Sequence, residues 1–433
     1  MKENPLKKAL AVGTDTFAPQ FSVTCANEFV IRVAMKHAKK HGRPFLVEAT
    51  VNQVDQFGGY TGMKPADYAG MIGRIAKEVG MDLGQVVMSG DHLGPFTMQD
   101  KDEEEAMAYS RELVREYVKA GFRKIHLDTS MRLASDPQDR PLADEVSTRR
   151  AVELAKVSEE AYAQSAGDTP WSYRPVYIIG SEVPVPGGTE DEEELEVTKP
   201  ESLVHTLDSY REAFLAASLP QVWDDVKCVV AQIGVEFSDE AVHDFDFEKA
   251  QALAKAAAGY GKVTFESHSS DYQTAANLKD MVASGVGILK VGPELTFVYR
   301  EGLYALEQAE QELIAAYPGM QPSNFAETLE RVMLTAEPNY WIKYYHGTPE
   351  QQKIKRKYSF SDRSRYYLTN PEVHASIERL MENTGRMDIP LTLISQYLPV
   401  QYERIRAGLI GKRAQELLED KVNCVLDRYT SAL

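Results

Sequence analysis

Short runs of β-branched and aliphatic residues alternate with amphipathic stretches over about the first 315 residues, with polar or glycine-rich turns between them. The pattern predicts a first strand including Phe21–Val23 and a helix over about Asn27–His41. Further strands are predicted at Pro44–Thr50, Val86–Gly90, Lys124–Asp128, Val176–Ile179, Cys228–Ile233, Lys262–Glu266 and Ile288–Val291. Stretches rich in Ala, Glu, Lys and Leu fill the intervals, among them Glu103–Ala120, Ala151–Ser165 and Phe247–Gly259. Eight strands alternating with helices predict an α/β fold with a parallel sheet, and that number suits closure into a (β/α)8 TIM barrel. A doubly wound open sheet satisfies the same periodicity.

Two polar insertions, Ser135–Pro141 and the acidic run Glu190–Glu196, interrupt the rhythm and read as solvated segments. Past Pro318 the pattern turns helical, broken by prolines and dense in aromatic and basic residues such as Tyr340–Tyr345 and Lys353–Tyr367. We expect a barrel over residues 1–318 and a helical C-terminal extension over 319–433 that packs on it as a lid. No repeat of solenoid period is apparent.

The 433 residues, 43% apolar and 26% charged, suffice for a full core without disulfides or structural metal. Cys25, Cys228 and Cys424 form no CxxC pair, which suits a reducing compartment. A net charge of −17 opposes binding to nucleic acid or an anionic membrane, both of which take a basic face. A small anionic substrate stays open, since a few local cations outweigh the global field. No apolar run approaches the roughly 20 residues of a membrane span, and Ala9–Val12 is too short for a signal-peptide core. These features predict a soluble cytoplasmic protein.

In a barrel the functional groups stand at the C-terminal strand ends. Those ends carry Glu48, the pair Asp91-His92, His126 and Asp128, Ser181-Glu182, Glu236, and the run from Glu266 through His268 to Asp271. One histidine alone would be an ordinary hydrogen-bonded rim residue. Several histidines and carboxylates at equivalent strand ends predict a site for a divalent ion instead. No P-loop of the form GxxxxGKS or GxxxxGKT occurs, HExxH is missing, and Gly285-Val286-Gly287 lacks the third glycine of a dinucleotide fingerprint. Gly58–Gly62 (GGYTG) reads either as a surface turn or as a backbone cradle for substrate oxygens.

The segments Glu48–Met63 (EATVNQVDQFGGYTGM), Ser89–Pro95 (SGDHLGP), Lys124–Met131 (KIHLDTSM), Glu266–Thr274 (ESHSSDYQT) and Ile288–Phe297 (ILKVGPELTF) resemble one family. So do Tyr358–Tyr367 (YSFSDRSRYY) and Leu393–Tyr402 (LISQYLPVQY). It is the family of the so-called non-catalytic subunit of class II tagatose-bisphosphate aldolase, of GatZ/KbaZ type, and the likeness covers nearly the whole chain. Some of its members are associated with C4 epimerisation between tagatose and fructose forms. The resemblance implies a barrel of the class II aldolase type that holds a divalent metal ion (Zn, Mn, Co or Ni). It implies Asp91 as catalytic acid/base and His92, Glu236 and His268 as metal ligands. Glu236 stands where the aldolases have His, and a carboxylate there weakens the ion as a Lewis acid. Glu182, whose VPVPGG context differs from the aldolase turn, and Asp128 are the further catalytic candidates. Substrate contacts are expected from Glu48, Gln53, Ser181, Ser269, Asp271, Lys290, Arg363 and Gln396.

Burying so many ionisable groups costs stability unless they are paired or used. The C4 hydrogen of a 2-ketose is β to the carbonyl and too weakly acidic for simple abstraction. Transient oxidation at C4 would ordinarily take a nicotinamide site, and the chain lacks that fingerprint. Retro-aldol cleavage of C3–C4, turning of the aldehyde and re-addition to its other face remain. A lid must retain the aldehyde, and Tyr345, Gln396 and Tyr397 of the extension are the candidates. For a 6-phosphate, Lys290 or the pair Arg363/Arg365 would neutralise the charge, unless these cations serve as salt bridges to the acidic barrel. The expected activity is a metal-dependent 4-epimerase acting on a ketohexose or its phosphate. A non-catalytic subunit stabilising a separate aldolase is the alternative, and a free aldolase releasing two trioses ranks third. A homo-oligomer and association with an aldolase subunit both stay open.

Overall fold

Strands β1 (Gln20–Thr24), β2 (Phe45–Thr50), β3 (Val86–Leu93) and β4 (Lys124–Leu127) pair in parallel, followed by β5 (Val176–Gly180) and β6 (Val226–Val230). β7 (Thr264–Ser267) and β8 (Val286–Val291) complete the round, and β8 pairs with β1 to close the barrel. The open sheet is thereby excluded. The structure is a computed structural model that describes residues 3–140, 142–165, 167–180 and 195–433, so Ser181, Glu182 and residues 190–194 of the acidic run lie outside it. Helices α1 (Glu28–Lys40), α2 (Pro65–Val79), α3 (Glu103–Lys119), α4 (Asp144–Ser165) and α5 (Pro200–Ala216) follow the first five strands. α6 (Phe247–Tyr260), α7 (Ala275–Ala283) and α8 (Pro293–Leu313) follow the last three. Their ends are chemically marked. Asn27 and Asp102 side chains accept backbone N–H groups of Val30 and Glu105 at the starts of α1 and α3, which leaves fewer orphan donors there.

Side chains along a strand alternate between the helix layer and the barrel interior. The apolar part of the interior includes Leu46, Val87, Val176, Ile178, Cys228, Val230 and Ile288 and packs with Leu6 and Leu10 in one cluster. Leu6 belongs to a short N-terminal helix (Pro5–Ala9), and Leu10 is its C-cap. Two residues beyond Leu46, Val87 and Ile288 the interior turns polar with buried Glu48, Ser89 and Lys290, joined by Ser22, Lys124 and Glu266. The next level, at the mouth, carries Asp91, His126 and His268.

β3 runs three residues past its predicted end and departs from strict alternation there. Gly90 pairs with Ile125 but Leu93 pairs with Leu127, so β3 holds one extra residue between them. His92 adopts φ +52°, a left-handed conformation that costs a non-glycine residue about 1–3 kcal/mol. The bulge turns His92 inward beside Asp91, where pleating alone would send the two to opposite faces. β6 differs in the other direction: it ends at Val230, and the chain leaves the barrel before Glu236.

Gly94 secures this corner. A Cβ at Gly94 would lie 1.8 Å from the carbonyl oxygen of Asp128, a backbone atom with little room to yield. Gly94→Ala is expected to cost about 3 kcal/mol through overpacking and to displace Asp128. A denaturant midpoint equal to that of the parent chain would refute this.

The extension comprises α9 (Phe325–Thr335), α10 (Pro349–Tyr358), a 3-10 turn at Arg363–Tyr367, α11 (Pro371–Arg386), α12 (Leu391–Tyr397), α13 (Pro399–Arg406) and α14 (Ala414–Thr430). α14 packs against α1 and α8. It also reaches the site: Tyr429 donates to the Ser270 carbonyl at 2.7 Å, and Arg428 pairs with Glu294 on α8.

Candidate active site

Two ammonium groups and three carboxylates form the floor. Lys124 Nζ lies 2.7 Å from Glu48 Oε1 and 2.6 Å from Glu266 Oε2. Lys290 Nζ meets Asp91, lies 3.2 Å from Glu48 Oε2, and donates to His268 Nε2 at 3.2 Å. Burial alone would depress the Lys290 ammonium, yet the facing carboxylates outweigh it and hold its pKa above that of an ordinary lysine. Burial likewise opposes ionisation of Asp91. The charges of His92 and Lys290, with the hydrogen bond from His126, prevail there and keep it well below the usual carboxylate range.

Three imidazoles stand over this floor. The ring centres of His92, His126 and His268 are 5.1–5.3 Å apart. Asp128 Oδ2 holds His92 Nδ1 at 2.8 Å, and Asp91 Oδ1 holds His126 Nδ1 at 2.8 Å. The remaining bonds of Asp128 go to the backbone and hydroxyl of Ser130. Burial raises and the His92 contact lowers the Asp128 carboxyl, which settles at about 2. His268 is kept neutral by burial first and by Lys290 next.

These residues fit a divalent ion. Rings bound tetrahedrally to one Zn²⁺ at about 2.1 Å would have centres about 5 Å apart. With Nδ1 donating to Asp91, the lone pair of His126 falls on Nε2, which is buried and without a hydrogen-bond partner. A carboxylate behind the far nitrogen of a ligating histidine is the usual orienting device. Asp91, His126, Glu266 and His268 each bring a donor atom within 4.8 Å of the others. With neutral imidazoles, the carboxylates of Glu48, Asp91, Asp128 and Glu266 exceed the two lysines by two negative charges. A dication would cancel that excess.

Above the floor opens a cavity lined by Asp91, His92, His268, Ser269, Asp271 and Lys290 from the barrel. Thr24, Thr50, Asn52, Gln53 and Tyr60 add to its wall, and the extension contributes Arg365 and Tyr366. Asp271 Oδ1 accepts the N–H groups of Gly292 and Glu294 at the start of α8, so a carboxylate already occupies that helix end. Burial, with Glu294 adding to it, pushes Asp271 up to about 7.

The expected residues separate into groups. Asp91, His92, Gln53, His268, Ser269, Asp271 and Lys290 line the cavity. Glu48 and Asp128 lie beneath it, engaged with Lys124, Lys290 and His92. Glu236 is not among the groups whose donor atoms cluster with those of His126 and His268, and its side chain meets Ser269 instead. It heads a two-residue antiparallel pairing with Val242–His243, its Oε1 accepts the N–H of Phe237, and burial pushes its carboxyl up to about 7. Arg363 is buried with its guanidinium 3.1 Å from the centre of the Tyr344 ring. Gln396 is exposed on α12 and does not line the cavity. Ser181 and Glu182 are outside the described residues. Tyr345, expected in the lid, is buried and bonds Ser361 and the Arg363 N–H, so it supports the turn that carries Arg365 and Tyr366. The glycine-rich loop resolves as a turn: Asp55 Oδ1 takes the N–H groups of Phe57, Gly58 and Gly59. A Cβ at Gly59 (φ +54°) would lie 2.5 Å from the Gln53 carbonyl oxygen. The loop thus positions Tyr60 and leaves those three donors unavailable to substrate.

Of Lys124, His126, Glu266 and Tyr366, sequence reasoning counted only His126 and Glu266 among the polar strand ends and gave none of the four an individual role. For the first three the signal was present: each lies an even number of residues along its strand from other inward positions.

The family described as "D-tagatose-1,6-bisphosphate aldolase subunit GatZ/KbaZ-like" matches residues 13–433. The chain belongs to the GatZ/KbaZ-like family. Among solved structures, this GatZ/KbaZ-like chain is similar to a probable tagatose 6 phosphate kinase from Sinorhizobium meliloti 1021, at 40% identity and TM-score 0.86. The match covers 96% of this chain and 100% of that one. A fructose-bisphosphate aldolase from Campylobacter jejuni matches at 13% identity and TM-score 0.44, over 87% of this chain and 89% of its own. Among the described residues no helix is long and apolar enough to cross a membrane.

Proposed function

We propose that this chain is a metal-dependent 4-epimerase interconverting D-tagatose and D-fructose, or their 6-phosphates, by retro-aldol cleavage and re-addition. The observation that carries the reading is the ionised Asp91 on the cavity floor, held between Lys290 and three clustered imidazoles. His92, His126 and His268 would hold the ion, which supplies positive charge that draws electrons toward the ketose carbonyl. Asp91 takes the proton from O4 as C3–C4 breaks, and the electron pair stays on C3, delocalised toward O2. Lys290, beside Asp91, offers a fixed positive charge to those oxygens. Asp128 fixes the His92 ring without touching substrate. Tyr60, Tyr366 and Arg365 close over the cavity and keep the aldehyde from leaving while it turns.

The test is to incubate the pure chain, loaded with a divalent metal, with D-fructose 6-phosphate and with D-fructose, and to identify the products. Formation of the tagatose epimer is expected; accumulation of trioses instead would make the chain a free aldolase. The family description favours a second reading, a subunit that stabilises a separate aldolase. That reading gains if the chain turns over neither sugar but raises the activity of a partner aldolase.

A further inference from the structure

Epimerisation at C4 poses a geometric demand that one base does not meet. The O4 proton leaves on one side of the sugar. Once the aldehyde has turned, the new alkoxide forms on the other side, beyond hydrogen-bond reach of the group that took the proton. A second proton-transfer group is needed on another wall of the cavity.

We infer that the Tyr366 hydroxyl is that second acid/base, facing the same substrate as Asp91 from the extension. The inference rests on the epimerase reading above. Tyr366 and Asp91 line one cavity but come from different elements, the 3-10 turn at Arg363–Tyr367 and the floor strand β3. The Tyr366 ring is fixed between Tyr60, 4.3 Å centre to centre, and Tyr340, 4.9 Å away and nearly parallel. Arg365 spends its guanidinium on the carbonyls of Ser361 and Asp362 and on the Tyr366 hydroxyl, to which it donates at 3.3 Å. That bond stabilises a phenolate with no carboxylate involved. Burial would raise the phenol, but Arg365 and Arg363 outweigh it and hold Tyr366 below the ordinary tyrosine value. Tyr60 on the same wall is driven the other way, chiefly by burial.

Protons and electrons balance without a further reactant. From the fructose epimer, Asp91 accepts the O4 proton, C3–C4 breaks, and its pair rests on C3 and O2. The aldehyde turns, C3 re-adds to its other face, and Tyr366 gives its proton to O4. Asp91 ends protonated and Tyr366 ionised, and exchange with solvent restores both. The reverse reaction uses the same groups in opposite roles.

This division of labour predicts an asymmetry that a packing role would not produce. With the metal-loaded full chain, cleavage of fructose 6-phosphate and of tagatose 6-phosphate is measured separately, the released aldehyde being trapped enzymatically. Tyr366→Phe is expected to lose about 100-fold or more in epimerisation and in cleavage of one epimer, while cleavage of the other stays within a few-fold. Asp91→Asn is expected to show the mirror pattern. Equal loss on both epimers in a Tyr366→Phe chain of unchanged melting temperature and metal content overturns the inference, as does undiminished epimerisation. If the parent chain cleaves and epimerises neither sugar, the epimerase reading itself falls and this inference with it.

Discussion

Asp91→Asn should lower turnover by about 10²–10⁴ while the chain stays folded, because amide for carboxylate keeps the shape but removes the proton acceptor. The structure adds a second consequence. Asp91 is the counter-ion of Lys290 and the anchor of His126 Nδ1, so the variant leaves Lys290 with Glu48 and Glu266 and weakens the hold on one imidazole. Bound metal is therefore expected to fall by far less than activity. Turnover, metal content and melting temperature measured on one preparation decide the matter. Near-normal turnover would remove Asp91 as the base, and activity falling only in step with metal would place its carboxylate in the coordination shell.

The second large effect separates two donor sets. His268→Ala removes one of the three clustered rings and should reduce metal affinity by more than about 100-fold, with activity lost alongside. Glu236→Gln should leave metal content unchanged, since Glu236 is not among the groups whose donor atoms cluster within 4.8 Å. Metal analysis after dialysis reads both. Full occupancy in His268→Ala would end the three-imidazole reading, and an empty site in Glu236→Gln would restore that carboxylate as a ligand.

The barrel was legible because its strands are apolar runs of constant rhythm, and six of the eight predicted strands fall within two residues of the observed ones at both ends. β3 overruns by three residues at a bulge, and β6 stops three residues short. Nothing in SGDHLGP states that one residue is extra, and only the backbone reveals that both Asp91 and His92 turn inward. Glu236 failed to join the imidazoles for the opposite reason: beyond a strand end no period governs direction, and the segment after Val230 makes its own pairing. Period two was enough to point Lys124 and His126 into the barrel, and Glu266 with His268. The interior ion pairs that use them span 76 and 142 residues of chain and are invisible to local pattern. The extension was read as a lid because an epimerase must retain its aldehyde, but which turn docks depends on long-range packing. Gln396 sits on an exposed helix, whereas Arg365 and Tyr366 reach the cavity.

The bond from Tyr429 to the Ser270 carbonyl joins residues 159 positions apart in the chain. Ser270 Oγ in turn donates to the Lys290 carbonyl at 2.6 Å, next to the cavity floor. During synthesis the eight strands have all been made well before α14 exists, and contacts of such sequence separation form late. A nascent chain can thus close its barrel while the mouth still lacks this brace, and the site above the floor is completed only after all eight strands have been made.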